Sequence, residues 1–305
     1  MTNSAYFPTS THLFEMKGKD ARDFLHRLTT TNVRDLEPGD FRAGFFLSPQ
    51  GKVRAAFRVA CRAPDSFYLE VEGGADDAWK TALLGVMDQF TFAEKYELRE
   101  MSGLKNAWIF GLTTAGENRF DEHTHGTELL LKLHGPKSAF GTHWTSVWGS
   151  RATVDRYLAA EGCLWLSESE FERMRVDSLF PRVDRELVPE ANPLEIGLRS
   201  AIADNKGCYP GQEVIEKIVS LGSPAKRLAL LTGVGPRPEA GARLATEDGA
   251  DAGTVTSAVP REDEGFSALA LLRKNAATEG KVLKLAPAPG AAAIDLTIER
   301  IADYE

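Results

Sequence analysis

The octapeptide Lys206-Gly207-Cys208-Tyr209-Pro210-Gly211-Gln212-Glu213 is the densest chemical word in the chain. A thiolate is both a nucleophile and a metal ligand, and a nearby cation favours it over the thiol. Lys206, two residues away, therefore marks Cys208 as a candidate functional thiol. The stretch Tyr209-Pro210-Gly211-Gln212 has proline and glycine where a type II turn wants them, and both glycines of the word permit positive φ. The expectation is a sulfur held on a rigid turn. A tight turn whose cysteine merely packs is the alternative that spacing leaves open.

Carboxylates form the second group. Glu190 lies in Val188-Pro189-Glu190-Ala191-Asn192-Pro193, and Arg175 and Asp177 lie on the helix ahead of it. An ionised carboxylate accepts two parallel N–H bonds, so such a group can recognise a planar donor-donor edge; solvated surface charge is the plainer reading of each taken singly. The run Asp121-Glu122-His123-Thr124-His125 has metal-ligand residue types but reads as a polar loop without a further partner, and no metal site is expected there. The cysteines Cys61, Cys163 and Cys208 lie far apart with no CxxC pair, which excludes a closed zinc site and leaves too few thiols for an iron–sulfur cluster held by this chain alone. Gly233-Val234-Gly235 runs into Pro236 and Pro238 instead of a helix, so the nucleotide fingerprint fails.

These residues need elements to position them. Phe24, Leu25 and Leu28 share a helical face over residues 20–28, and the polar run Thr29-Thr30-Thr31-Asn32 ends that helix. Strands are expected at 41–47, 53–61 and 66–71, a helix at 78–90 and a strand near 96–99, an order that suggests an α+β layer. Three more strands are expected between 106 and 149, then a helix at 154–160 and another opened by the capping box Ser167-Glu168-Ser169-Glu170 and stopped by Pro181. From 181 to 206 periodicity fades, and a long irregular segment in a compact protein is often functional. After Lys226 short β-prone runs separated by Gly/Pro/Asp turns predict a small separate barrel or sandwich, with the boundary near 223–226.

With 305 residues, the chain is long enough for two domains, and 43% hydrophobic against 26% charged residues is ordinary for a folded protein. The sum of 36 basic and 44 acidic residues gives −8, which disfavours non-specific binding to nucleic acid or anionic lipid. No apolar run approaches a membrane span, and the opening MTNSAYFPTSTHLF lacks the pattern of a secretory signal, so a cytoplasmic location is expected.

At Lys206 to Glu213 the sequence resembles the YgfZ family of folate-binding proteins, relatives of the aminomethyltransferase (T protein) of the glycine cleavage system. Phe24 to Val33, Leu47 to Val53 and the stretch from Arg175 to Glu190 follow the family pattern in order. The resemblance implies an α+β, aminomethyltransferase-like fold: two interleaved α+β lobes over residues 1–225 and a C-terminal β-barrel over 226–305, around a central folate cavity. It implies tetrahydrofolate or a derivative as cofactor, iron–sulfur proteins or assembly factors as partners, and a role in iron–sulfur assembly or maintenance that extends to radical enzymes modifying tRNA. Glu190 or Glu213 would then meet the donor fork of the pterin, Tyr209 would lie against the ring, and Arg175, Lys206 or Lys217 would meet the anionic tail. Gln212 and Asn32, in the matching segments, join the ligand-binding set. Cys208 would bind a cluster transiently, exchange thiols or approach a one-carbon unit. The alternative is an aminomethyl or methyl transferase of glycine-cleavage type. Its catalytic aspartate falls on a loop corresponding loosely to Val71–Asp77, where Asp76 and Asp77 read equally well as a helix cap. That departure and the KGC word argue against glycine cleavage activity.

Overall fold

Interleaving is visible in the order of the strands. The computed structural model describes residues 4–112, 116–126, 128–189, 191–204, 206–285 and 294–303. In chain order the first unit holds β1 (Ala5–Pro8), β2 (Thr11–Lys17), α1 (Ala21–Leu28), β3 (Phe41–Leu47), β4 (Val53–Ala63), β5 (Ser66–Glu72), α2 (Ala78–Phe90), β6 (Glu97–Glu100), β7 (Lys105–Phe110), β8 (Arg119–His125), β9 (Glu128–Gly135), β10 (Trp144–Gly149), α3 (Arg151–Ala160) and β11 (Leu164–Trp165). One sheet runs β11-β1-β7-β10-β9-β8 and the other β3-β4-β5-β2-β6. The chain thus starts the six-stranded sheet with β1, leaves to build all five strands of the other, and returns.

The two sheets share a core. Leu13, Phe41, Ala60 and Tyr68 from one pack with Phe120, Leu131, Leu133 and Trp148 from the other. A charge is buried beside them: Glu70 accepts from Ser146 Oγ at 2.7 Å, Trp148 Nε1 at 2.8 Å and Arg58 Nε at 2.9 Å, so its cost of desolvation is met by donors from both sheets.

The second unit comprises residues 168–199 and 213–305. It holds α4 (Glu168–Asp177), most of α5 (Gln212–Ser220), and β12 (Lys226–Val234), β13 (Arg243–Ala245), β14 (Asp251–Pro260), β15 (Gly265–Arg273), β16 (Val282–Leu285) and β17 (Ile294–Ile301). These six strands close into a barrel in the order β12-β15-β14-β13-β16-β17. Inward residues such as Leu231, Val255, Phe266, Leu283 and Ile298 fill it. Closure pairs β12 with β17 and leaves no free edge. Residue 226 opens the barrel, while the packing unit also takes in 168–199, and residues 200–212 pack with the first unit.

One element differs from the expectation. The run Asp121-Glu122-His123-Thr124-His125 is strand β8, paired with β9 from Arg119↔His134 to His125↔Glu128. It is the last strand of its sheet, where charged residues are tolerated and blunt edge pairing, so apolar alternation was not there to read. Among the described residues no group of His, Cys, Asp and Glu could hold a metal ion, and no helix is long and apolar enough to cross a membrane.

Candidate functional site

Three segments converge in the first unit: the end of α1 with its Thr-Thr-Thr-Asn run, the β3–β4 turn, and residues 200–212. The run after α1 stitches rather than merely stops. Thr29 Oγ1 donates to Leu25 O at 2.7 Å, Thr30 Oγ1 to Ala201 O at 2.7 Å and Thr31 Oγ1 to Ala43 O at 2.8 Å. Ala203 N returns a bond to Thr30 O at 2.9 Å. All three threonines are buried, so each hydroxyl needs the partner it has.

The octapeptide loop hangs on this frame. Tyr209 O accepts from Gln212 N at 3.2 Å, and Gly211 at the third turn position has φ +83°, the geometry of the type II turn read from the sequence. Gly211 is also required by space: a Cβ there would meet Ser48 O at 2.5 Å. Gln212 then opens α5.

Lys206 departs from its expected role. It is 6% exposed, and its Nζ donates to His26 O at 2.5 Å and to Thr29 O, the unpaired carbonyls at the C-terminal end of α1. Its ammonium also lies 4.8 Å from the centre of the Tyr209 ring. Burial, with repulsion from Arg34 added, lowers its pKa to about 8. The ammonium is thus committed to the helix end, not to the Cys208 thiolate or an anionic ligand tail, and Lys206 is the anchor of the loop.

Between buried Lys206 and buried Tyr209, Gly207 (φ +89°) and Cys208 are exposed. The other thiols are different. Cys61 is fully buried and burial raises its pKa despite Arg22 beside it; Cys163 is half-buried and raised to about 11 by burial. The fold therefore leaves one thiol of the three at the surface, and it is the one on the anchored turn.

Two polar atoms beside this loop are buried without a partner among the described residues: His26 Nδ1 and Asn32 Oδ1. Burial, then the charges of Lys206 and Arg34, lowers the His26 pKa, so the ring is neutral and offers one donor and one acceptor. Each unmet atom costs about 1–3 kcal/mol unless water or a ligand supplies the bond. The amide nitrogen of Asn32 is held by Asp35 at 2.5 Å.

Residues 8–102 match the family described as the GCVT N-terminal domain. A solved glycine cleavage system aminomethyltransferase T from Bartonella henselae superposes with a TM-score of 0.83 over 98% of this chain and 85% of that one, at 15% identity. Among sequences, the chain is 26% identical over 288 residues, 88% of its length, to a chloroplastic Arabidopsis thaliana protein named as a transferase, and covers 65% of it. It is 35% identical over 98 residues to the tRNA-modifying protein YgfZ of Escherichia coli, 30% of this chain and 29% of that one. The chain thus resembles YgfZ over part of its length and shares the fold of the glycine cleavage T protein. The matched stretches cover less than two thirds of the Arabidopsis and YgfZ relatives. The aminomethyltransferase-like α+β fold, with its interleaved sheets and terminal barrel, is as expected.

The remaining candidate residues divide by environment. Arg175 is fully buried, and each of its five N–H donors is used: Glu172 takes Nε and Nη2, Phe180 O and Glu186 take Nη1, and Ser257 takes Nη2. It is a structural cation, which corrects its expected place on a ligand tail. Glu213 and Lys217 are exposed on α5. Glu190 lies outside the described residues. In the same segment Glu195, not singled out from the sequence, is half-buried on a turn closed by Glu195 N to Asn192 O at 3.0 Å, and its carboxylate has no partner among the described residues. Asp76 and Asp77 both take left-handed φ, +50° and +56°. Asp77 stands at the α2 cap position, but its carboxylate bonds His12 Nε2 at 2.9 Å instead of capping, and that bond holds its pKa below the ordinary value. A carboxylate so paired is a weaker base.

Proposed function

We propose that this chain binds tetrahydrofolate or a derivative and acts as an accessory protein in iron–sulfur cluster assembly or maintenance, in support of iron–sulfur enzymes that include tRNA-modifying radical enzymes. The observation that carries the reading is the exposed Cys208 held between buried Lys206 and buried Tyr209 on a turn locked to α1. Likeness to the T protein supports the folate, and likeness to a protein named for tRNA modification supports the cellular role. In this reading Tyr209, Gln212 and Asn32 contact the ligand, and the unmet atoms of His26 and Asn32 receive its polar edge. A transferase of glycine-cleavage type is the less suitable reading, because Asp77 is tied to His12 and Lys80 and offers little basicity.

Anaerobic calorimetry with tetrahydrofolate tests the binding. Saturable binding is expected, weakened about 10-fold or more in Asn32→Ala and Tyr209→Ala. In cells lacking the native copy, Cys208→Ser should keep folate affinity and lose support of cluster-dependent enzymes. A native protein that takes up no tetrahydrofolate ends the folate reading, and a fully functional Cys208→Ser ends the thiol reading.

A further inference from the structure

The second unit contains a polar cleft of about 360 Å³ lined by Glu172, Arg185, Arg237, Glu239, Thr256 and Ser257, among others. Its charges divide into those already used and those left over. Glu172 is taken by Arg175 at 2.6 Å and Arg182 at 2.5 Å. The hydroxyls of Thr256 and Ser257 each donate to buried Glu186 at 2.7 Å. Left over are Arg185, Arg237 and Glu239. Among the described residues the guanidinium of Arg185 and the carboxylate of Glu239 have no partner, and Arg237 makes one long bond of 3.5 Å to Ala258 O.

Both arginines stand on fixed backbone. Arg185 lies on a turn closed by Arg185 N and Leu187 N, each donating to Arg182 O at 3.1 Å, with Asp184 in the left-handed region at φ +63°. The next residue, Glu186, pins the turn by accepting from Arg175, Arg182 N, Thr256 and Ser257. Arg237 is set between Pro236 and Pro238, which restrict φ on both sides, and Pro238 is buried. Two guanidiniums, one free and one in a single long bond, stand on rigid stations with little backbone freedom to lose on binding, and the planar donor fork of arginine matches an oxyanion.

We propose that this cleft binds the oxyanion group of a small solute, a phosphomonoester or a carboxylate, between Arg185 and Arg237. Two arginines against Glu239 leave one net positive charge uncommitted. The volume is at the small end for ligand pockets, which suits a metabolite-sized molecule, and the overall charge of −8 opposes a nucleic-acid strand. The site uses none of the residues proposed for folate and stands independently of that reading.

The test is NMR of arginine Nε–H signals in the full chain, titrated with inorganic phosphate and separately with acetate, at ionic strength held constant with chloride. Saturable shifts of Arg185 and Arg237 together are expected with at least one anion, and the stronger of the two assigns the source. Arg185→Ala or Arg237→Ala should weaken binding about 10-fold or more, and Glu239→Gln should strengthen it, with unfolding midpoints nearly unchanged because only Arg237 holds a single long, exposed bond. Shifts with neither anion, or affinity indifferent to both arginine variants, would overturn the assignment.

Discussion

Replacing Glu186 with alanine is expected to destabilise the second unit by about 3–5 kcal/mol, the range for breaking a buried ion pair from one side. Glu186 is fully buried in its side chain, as is Arg175, and the two meet at 3.1 Å. Removing the carboxylate takes away the buried partner of Arg175 Nη1, Arg182 N and the Ser257 hydroxyl, and one of the two partners of Thr256 Oγ1. Glu172, 19% exposed in its side chain, remains to balance the guanidinium, so the loss falls short of a wholly unpaired charge. The double replacement Arg175→Met with Glu186→Leu should cost much less than the sum of the single changes, because an apolar pair of similar size removes both desolvation penalties. Urea unfolding followed in the four proteins of this cycle checks it. A single Glu186→Ala variant within about 1 kcal/mol of the native protein would contradict the structural role.

The second large effect belongs to Lys206→Met. It removes the donor that satisfies His26 O and Thr29 O at the end of α1, and a loss of about 1–3 kcal/mol is expected, with loosened presentation of Cys208 and weaker folate binding as the functional consequence. The effect depends on pH in a stated direction. Lys206 titrates at about 8 in the folded chain and near ~10.4 when unfolded, so between those values the unfolded chain binds more protons and folding strengthens as pH rises. The neutral amine keeps N–H donors for both carbonyls, so deprotonation removes the cost of burying charge without breaking the anchor. The native protein should therefore gain stability over Lys206→Met from pH 8 to 10, by up to about 3 kcal/mol. Parallel stability-against-pH curves for the two proteins would show that the lysine is not buried as described.

Local physics made part of this legible in advance. The helix before Thr29 announced itself by the spacing of Phe24, Leu25 and Leu28, the turn at Tyr209–Gln212 by proline and glycine at their required positions, and the barrel by short β-prone runs between turns. What stayed hidden depends on partners far along the chain. Lys206 reaches carbonyls 177 and 180 positions away, and nothing in its neighbourhood distinguishes an anchor from a cation poised over a thiol. Arg175 and Glu186 look like surface charge in a polar helix and loop, yet they form the buried polar centre of their unit, because Ser257 and Thr256 arrive from a barrel strand to complete the bonds. The threonines after α1 read as a helix stop for the same reason: their partners are at Ala43 and Ala201.

The fold presents one exposed thiol, Cys208, on an anchored turn, and folate is proposed to bear on it. Timed alkylation with iodoacetamide at pH 7, mapped residue by residue by mass spectrometry with and without saturating tetrahydrofolate, addresses it most directly. The structure predicts modification at Cys208 far ahead of Cys61 and Cys163, and the proposed folate binding predicts a clear slowing at Cys208 when tetrahydrofolate is present. Equal rates at Cys208 with and without the folate, or modification that begins at Cys163, would contradict it.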